Sequence, residues 1–269
     1  MSYLGIDIGT SGCKAVAFDA EGKMLGGAHR SYLLKMPQPG WMELDSMEVI
    51  NACCAVITDA ARAAGDDPVR AIAISSQGEA FTPVNDKGEY LGNAMVSSDS
   101  RSVELIEPFV KQFGLKRLYG ITGHTPSTLF SLFKLLWINQ NQPEIWKQNV
   151  RFLCFEDLLH LRLGIEPAMG WPLAGRTMLF DVRKHVWSQD ILAARNWRNA
   201  NLQDRFPAAA QPALFLLKSV QDWDCRKASR SLPEVTTRPS ERLARGWLKK
   251  VRPCMPRAAW NVSARWYRI

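Results

Sequence analysis

A short glycine-containing turn between two apolar runs constrains this chain more than any other feature. Residues 3–18 read YLGIDIGTSGCKAVAF, in which apolar residues 3–6 and 15–18 flank the turn. Two β-type runs joined by glycine, threonine and serine predict a β-hairpin. Glycines let backbone N–H groups approach an anion closely, and hydroxyl groups add donors. The hairpin is a candidate anion cradle. An ordinary hairpin with a solvated turn is the alternative.

Five residues of the hairpin are candidates for binding such an anion together with a metal ion. Asp7 ends the first apolar run, where its carboxylate would hold Mg²⁺ through water molecules, as this metal prefers. Lys14 would add a point positive charge. Gly9, Thr10 and Ser11 complete the set. Asp7 is therefore the candidate metal residue.

Further segments follow in order along residues 1–194, and together they carry a family resemblance. They are DIGTSGCK at 7–14, QPGWMELD at 38–45, SDSR at 98–101, KLLWINQN at 134–141 and RTMLFD at 176–181. The first resembles the first phosphate motif of the actin/Hsp70/sugar-kinase superfamily. The set is most similar to the FGGY carbohydrate kinases. Ser97 departs from the pattern, since tryptophan is usual there, and Leu129 departs upstream of the fourth segment.

The resemblance implies a fold and a reaction. The fold is α/β, a ribonuclease-H-like lobe of the actin/Hsp70/sugar-kinase type with a mixed β-sheet flanked by helices. The reaction is ATP-dependent phosphorylation of a hydroxyl on a small sugar or polyol, with ATP and Mg²⁺ as cofactors. A catalytically inactive sugar-binding or regulatory remnant of such a kinase is the alternative.

The resemblance also implies a substrate site made of Gln77, Glu79, Asp99 and Trp41. Glu79 is expected to accept hydrogen bonds from a substrate hydroxyl. The alternative for Glu79 and Gln77 is a solvated loop. Asp99 stands two residues from Arg101, so on a strand the two would share a face and form a structural pair instead. Trp41 would wall the sugar pocket or pack in the core.

The apolar periodicity supports an α/β chain without using the resemblance. Strands are predicted near residues 3–9, 13–19, 25–33 and 69–75. Apolar residues at three- and four-residue spacing predict an amphipathic helix from Asp45–Ser46, a capping signal, to about residue 64. Three hairpin-linked strands, a helix and a further strand are typical of a mixed sheet.

Composition is typical of a globular protein in a reducing compartment. The chain has 269 residues, of which 46% are hydrophobic, enough for one or two domains. No run of 18 apolar residues occurs, and no secretory signal is visible, so we expect no membrane partner and a cytoplasmic location. Six cysteines without a C-x-x-C pair favour buried thiols. A homodimer remains open.

The character of the chain changes near residue 195, which predicts a domain boundary there. Residues 1–194 hold 17 of 18 glycines and carry 18 Lys+Arg against 21 Asp+Glu. Residues 195–269 hold one glycine and carry 16 Lys+Arg against 5 Asp+Glu, a net charge of +11. We therefore expect an incomplete kinase N-terminal domain over 1–194 and a basic tail of different character.

Three explanations of the tail remain open. Basic residues mixed with aromatics can bind single-stranded nucleic acid, but these charges form no repeat or helical face, so no nucleic-acid partner is expected. A solvated, weakly folded extension is the second explanation. The third, which we favour, is that the natural reading frame is lost near Arg195.

The sequence provides no candidate for the catalytic base. The resemblance implies an aspartate in a Gly-Gly-x-Asp-type segment, beyond the point where family-like sequence stops. The tail aspartates have no glycine-rich context, so none receives this role; they are Asp204, Asp222 and Asp224.

Overall fold

A computed structural model describes residues 1–148, 150–194, 207–210 and 215–216. The strands are β1 (Ser2–Ile8), β2 (Gly12–Phe18), β3 (Met24–Ser31), β4 (Glu43–Leu44), β5 (Val69–Ser76), β6 (Phe81–Val84), β7 (Ala94–Met95), β8 (Arg151–Cys154), β9 (Ala168–Gly170), β10 (Phe180–Asp181), β11 (Val186–Trp187), β12 (Ala208–Ala210) and β13 (Phe215–Leu216). The helices are α1 (Ser46–Ala63), α2 (Ile106–Phe113), α3 (Leu115–Thr122), α4 (Ser131–Asn141), α5 (Pro143–Lys147), α6 (Phe155–Arg162), α7 (Trp171–Arg176) and α8 (Gln189–Ala193), and a 3₁₀ turn (Val103–Leu105) precedes α2.

A five-stranded mixed sheet forms one half of the fold. Its strand order is β13-β5-β1-β2-β3, with β1 parallel to β5 and antiparallel to β2. Alternate residues of β1 (Leu4, Ile6 and Ile8) are buried in a core shared with α1 and α6. The other face of β1 therefore carries its polar residue, Asp7.

A four-stranded sheet, ordered β4-β7-β6-β8, lies beside a second core. This core is rich in phenylalanine and includes residues of α2, α4 and β10. Phe81 and Phe152, on the paired strands β6 and β8, meet edge to face with ring centroids 5.4 Å apart. The two sheets with their helices confirm the predicted mixed α/β class.

The best-predicted elements are those with strong local signals. The three N-terminal strands lie within one or two residues of their predicted bounds, and α1 ends at Ala63. Asp45 caps α1 as predicted, because its side chain accepts from the N–H groups of Met47 and Glu48, both at 3.1 Å. The expected strand near 69–75 is β5.

Most of the predicted tail lies outside the described residues, and this includes its three aspartates. The backbone is described at two short strands beyond Ala194. β12 pairs in parallel with β9, and β13 pairs antiparallel with β5. The boundary at residue 194 and the three explanations of the tail remain predictions.

Candidate functional site

The predicted N-terminal hairpin forms between β1 and β2, and its turn is closed by the Gly9 N–H donating to the Gly12 carbonyl at 2.9 Å. Thr10 and Ser11 are exposed at the tip. A Cβ on Gly12 would lie 2.7 Å from the Arg30 carbonyl oxygen and 2.8 Å from His29 Nε2. The turn therefore depends on glycine for close backbone approach to β3.

A row of exposed polar residues crosses the sheet next to this turn. Asp7 is paired in register with Lys14 on one side and with Ser75 on the other, and Lys14 is paired with His29. Residues directly opposite each other in register lie on one sheet face. The structure thus brings Asp7 and Lys14 together as solvent-exposed neighbours beside the exposed tip.

Two side chains attach the turn to the rest of the lobe. The buried Tyr32 hydroxyl donates to the Gly9 carbonyl at 2.6 Å, and Gln77 Nε2 donates to the same oxygen at 3.1 Å. Burial raises the pKa of Tyr32 well above its ordinary value, so the phenol stays a donor. Gln77 Oε1 is buried without a hydrogen-bond partner among the described residues.

Glu79 is fully buried at the end of the loop that carries Gln77. One carboxylate oxygen accepts from Arg176 Nε and the other accepts from the Ser97 hydroxyl, each at 2.5 Å. Ser131 on α4 also donates to the Glu79 carbonyl at 2.9 Å. Glu79 is therefore not the solvated acid that the alternative described.

A buried lysine lies near this carboxylate. Lys134 on α4 is fully buried, and its ammonium donates to the Leu129 carbonyl at 3.1 Å. Desolvation lowers the pKa of Lys134 to about 8, against the opposing attraction of Glu79 and Asp99. Lys134 is therefore packed in the core and also carries a charge that Glu79 and Asp99 attract.

Asp99 and Arg101 form the expected ion pair, for a different local reason. The two residues lie on a turn and not on a strand, and the Asp99 carboxylate accepts the Arg101 N–H at 3.1 Å. The Arg101 guanidinium donates to Asp99 at 2.7 Å and to Glu43 at 2.6 Å. Asp99 also accepts the Met42 N–H at 2.8 Å, so this pair fixes the QPGW segment.

Trp41 is partly buried and lies against this pair. The Arg101 guanidinium carbon is 3.8 Å from the Trp41 ring centroid, and Trp137 meets Trp41 edge to face at 5.2 Å. The ring is thus packed against the ion pair and remains partly exposed. Contact of Trp41 or Asp99 with a sugar remains a prediction.

The sequence does not predict three further residues of the site, which are Arg176, Tyr32 and Ser97. Arg176 lies in the RTMLFD motif, but its partner Glu79 is 97 residues away. No local pattern predicts a pairing over that separation. In the sequence, Ser97 is distinguished only by standing where tryptophan is usual. Its small side chain is what allows a hydroxyl to reach Glu79.

The residues of the hairpin fit a Mg²⁺ held mainly by water and phosphate. Asp7 is an exposed carboxylate, with Lys14 beside it. Within the described ranges no three His, Cys, Asp or Glu residues gather as metal ligands. Because Mg²⁺ keeps several waters and takes one or two carboxylates with nucleotide phosphates, a single exposed aspartate suits it.

Comparison with known proteins identifies the family of the chain. A model of the FGGY family of carbohydrate kinases, N-terminal domain, matches residues 2–212. The chain is 31% identical over 195 residues to glycerol kinase from Thermococcus kodakarensis and 32% identical over 200 residues to xylulose kinase from Escherichia coli. These alignments cover 70% and 71% of this chain, but 39% of each relative.

Solved structures show the same fold. Gluconate kinase from Lactobacillus acidophilus superposes with a TM-score of 0.72 at 20% identity, covering 93% of this chain and 45% of that one. Plasmodium falciparum glycerol kinase with ADP gives 0.72 at 25% identity, covering 77% of this chain and 42% of that one. The fold is that of a lobe of the sugar-kinase class. The chain belongs to the FGGY family of carbohydrate kinases, and the predicted recognition is confirmed.

None of the helices in the described ranges is long and apolar enough to cross a membrane. The match to the family domain reaches residue 212, past the predicted boundary at 194.

Proposed function

We propose that this chain supplies the nucleotide-phosphate and sugar-binding lobe of an ATP-dependent phosphotransferase that acts on a hydroxyl of a small sugar or polyol. The observation that carries the proposal is the attachment of one site to the other. Gln77 donates to the carbonyl of Gly9 in the turn at residues 9–12, which we call the phosphate turn. Two residues later, Glu79 accepts a hydrogen bond from Arg176 on the proposed sugar side. Phosphoryl transfer depends on such fixed positioning of two substrates.

The phosphate side of the site is Asp7, Gly9, Thr10, Ser11 and Lys14. When bound, Mg²⁺ neutralises charge on the nucleotide phosphates. Asp7 would hold the metal through water, and Lys14, its neighbour in register, would attract the phosphates. The exposed hydroxyls of Thr10 and Ser11 are available as donors at the tip.

The sugar side is Gln77, Glu79, Asp99 and Trp41. Gln77 Oε1, a buried acceptor without a partner in the described ranges, suits a hydroxyl donor. Asp99 acts through Arg101 by holding Trp41 in place, since Arg101 contacts both side chains. The Glu79 carboxylate holds the guanidinium of Arg176, which is a hydrogen-bond donor.

The chain spans 39% of the length of the curated relatives it matches. Binding by this chain and phosphoryl transfer by this chain are therefore two separate questions. A kinase of this type needs a second wall that closes over the γ-phosphate and excludes water. We propose that the 269-residue chain binds sugar or polyol and nucleotide without turnover. A catalytically inactive sugar-binding or regulatory remnant of such a kinase stays the alternative for the whole protein.

The domain boundary near Ala194, a basic tail without a nucleic-acid role and a cytoplasmic location belong to the same proposal. Within the described part of the chain, three buried cysteines are free, which suits a reducing compartment; they are Cys13, Cys53 and Cys154. The DNA sequence downstream of the Ala194 codon tests whether the natural reading frame is lost in the tail. A kinase continuation in another frame would support a lost reading frame, and its absence would contradict it.

Calorimetric titration tests the binding function directly. The 269-residue protein would be titrated with glycerol, D-xylulose and gluconate, and separately with ADP in the presence of Mg²⁺. We expect saturable binding of at least one sugar or polyol and of Mg²⁺–ADP. Absence of binding by all three carbohydrates would overturn the proposal.

A further inference from the structure

We infer that Arg176 is the residue that contacts the substrate in the Glu79 cluster, and that it selects an uncharged sugar or polyol by donating to its hydroxyl oxygens. The inference rests on the proposed function. It assigns Glu79 the role of a positioning residue that acts through Arg176.

Burial distinguishes the two partners of this ion pair. The Glu79 side chain is 0% exposed, and both of its oxygens already accept hydrogen bonds. The Arg176 side chain is 35% exposed. A ligand therefore reaches the arginine first, while the carboxylate lies behind it.

Among the described residues, the Arg176 guanidinium has donors left for a ligand. Arg176 uses Nε for Glu79, and its Cζ lies 5.9 Å from the Phe130 ring centroid. A guanidinium carries five N–H donors in a rigid planar fork, four of them on the two Nη atoms. With Nε fixed by a buried carboxylate, the orientation of that fork is set before any ligand arrives.

Gly78 creates the space that the arginine occupies. A Cβ at position 78 would lie 2.7 Å from Arg176 Nε and 3.3 Å from Arg176 Cδ. Any side chain there would displace the guanidinium, which is the flexible partner. The glycine between Gln77 and Glu79 thus admits an arginine from α7 into the loop that carries both predicted substrate residues.

The charges around the pair favour a neutral ligand. Three buried or partly buried acids face three bases in this region; they are Glu43, Glu79 and Asp99 against Arg101, Lys134 and Arg176. Desolvation, with a smaller contribution from Arg176, lowers the pKa of His124, which leaves it uncharged at neutral pH. A carboxylate ligand would add an unbalanced charge beside Glu79, whereas hydroxyl groups would not.

The test compares one substitution that displaces the guanidinium with another that removes it. Gly78→Ala leaves Arg176 in the sequence but occupies its space, and Arg176→Lys keeps the charge but removes the fork. Both should weaken calorimetric binding of the better neutral ligand, glycerol or D-xylulose, by about tenfold or more, the cost of a charge-assisted hydrogen bond. Arg183→Ala is the control, because Arg183 is exposed in a nearby turn; its affinity should stay within about twofold.

The positioning role of Glu79 has its own comparison. Glu79→Gln keeps an acceptor for Arg176 Nε and should retain affinity within about threefold of the unmodified protein. Glu79→Ala should lose about tenfold or more. Thermal unfolding of each variant shows that it is folded, and if Gly78→Ala fails to fold, Arg176→Lys decides the question.

Each outcome has a distinct meaning. Neutral-ligand binding that neither Gly78→Ala nor Arg176→Lys weakens would overturn the role of Arg176. Tighter binding of gluconate than of both neutral ligands by the unmodified protein would overturn the selection of uncharged substrates. If the unmodified protein binds none of the three, the proposed function itself fails, and this inference fails with it.

Discussion

The Arg101 guanidinium lies over the Trp41 indole, with its central carbon 3.8 Å from the ring centroid. The same guanidinium bonds Asp99 and Glu43, and its side chain is 2% exposed. One arginine thus joins the QPGW segment to the turn that follows β7. Its planar shape matters as much as its charge, because it stacks on a ring and bonds two carboxylates at once.

We expect Arg101→Lys to destabilise the protein by about 1–3 kcal/mol. The lysine keeps a positive charge but loses the stacking and the forked hydrogen bonds, leaving buried Asp99 poorly paired. Urea unfolding measures the difference. Arg30→Lys is the matched control, since Arg30 pairs with Asp59 at the surface, and it should change stability by less than about 0.5 kcal/mol. Equal effects of both substitutions would contradict the role of Arg101.

Lys134 gives the protein a pH-dependent stability. Its pKa is about 8 in the folded protein, below the ordinary lysine value of 10.5, because of desolvation. Between these values the unfolded chain holds the proton and the folded protein does not, so this group adds stability as pH rises from about 8 to 10.5.

We therefore expect Lys134→Met to be more stable than the unmodified protein at pH 7, by about 1–3 kcal/mol. The difference should shrink as pH approaches 10. Thermal unfolding at several pH values between 7 and 10 measures it. A difference that stays constant or grows with pH would show that Lys134 does not titrate in this way.

Tyr32 holds the phosphate turn through its hydroxyl. Tyr32→Phe removes the 2.6 Å bond to the Gly9 carbonyl, which keeps its bond from Gln77, so we expect a loss of about 0.5–1.5 kcal/mol. Amide hydrogen exchange should be faster in the 9–12 turn. Tyr119→Phe, at a tyrosine that is 56% exposed, provides the control and should leave both quantities unchanged. Unaltered exchange in the turn would contradict this role.

Asp7 is predicted to serve the metal and not the fold. It is exposed, so Asp7→Asn should change stability by less than about 0.5 kcal/mol. Calorimetry should show at least about tenfold weaker binding of ADP with Mg²⁺, and the same loss when EDTA removes the metal from the unmodified protein. Asp66→Asn, at another exposed aspartate, should bind normally. Equal affinity of the Asp7→Asn protein would overturn the assignment.

The parts of the fold that sequence predicts are those whose signals are local. The hairpin of β1 and β2 follows from a turn flanked by apolar runs, and the apolar period of α1 follows its Asp45 cap. α3 follows α2 after a single glycine, Gly114, and the sequence does not predict this helix.

Long-range pairing limits what sequence can predict about the site. The motifs identified Gln77, Glu79 and Asp99, but of their partners they indicated only Arg101, which lies two residues from Asp99. Glu79 meets Arg176 across 97 residues, and Trp41 meets Trp137 from a different motif. Such contacts depend on how the two cores pack, which residue spacing does not encode. The proximity of buried Lys134 to Glu79 and Asp99 is hidden for the same reason, since the three residues belong to different motifs.

Release of ADP tests most directly the proposal that these 269 residues bind sugar or polyol and nucleotide without transferring phosphate. Purified 269-residue protein with ATP, Mg²⁺ and each of glycerol, D-xylulose and gluconate would be followed by a coupled ADP assay. We expect ADP release no faster than without carbohydrate, at concentrations where calorimetry shows binding. Saturable, carbohydrate-dependent ADP release would contradict the account and show that this chain contains a complete catalytic site.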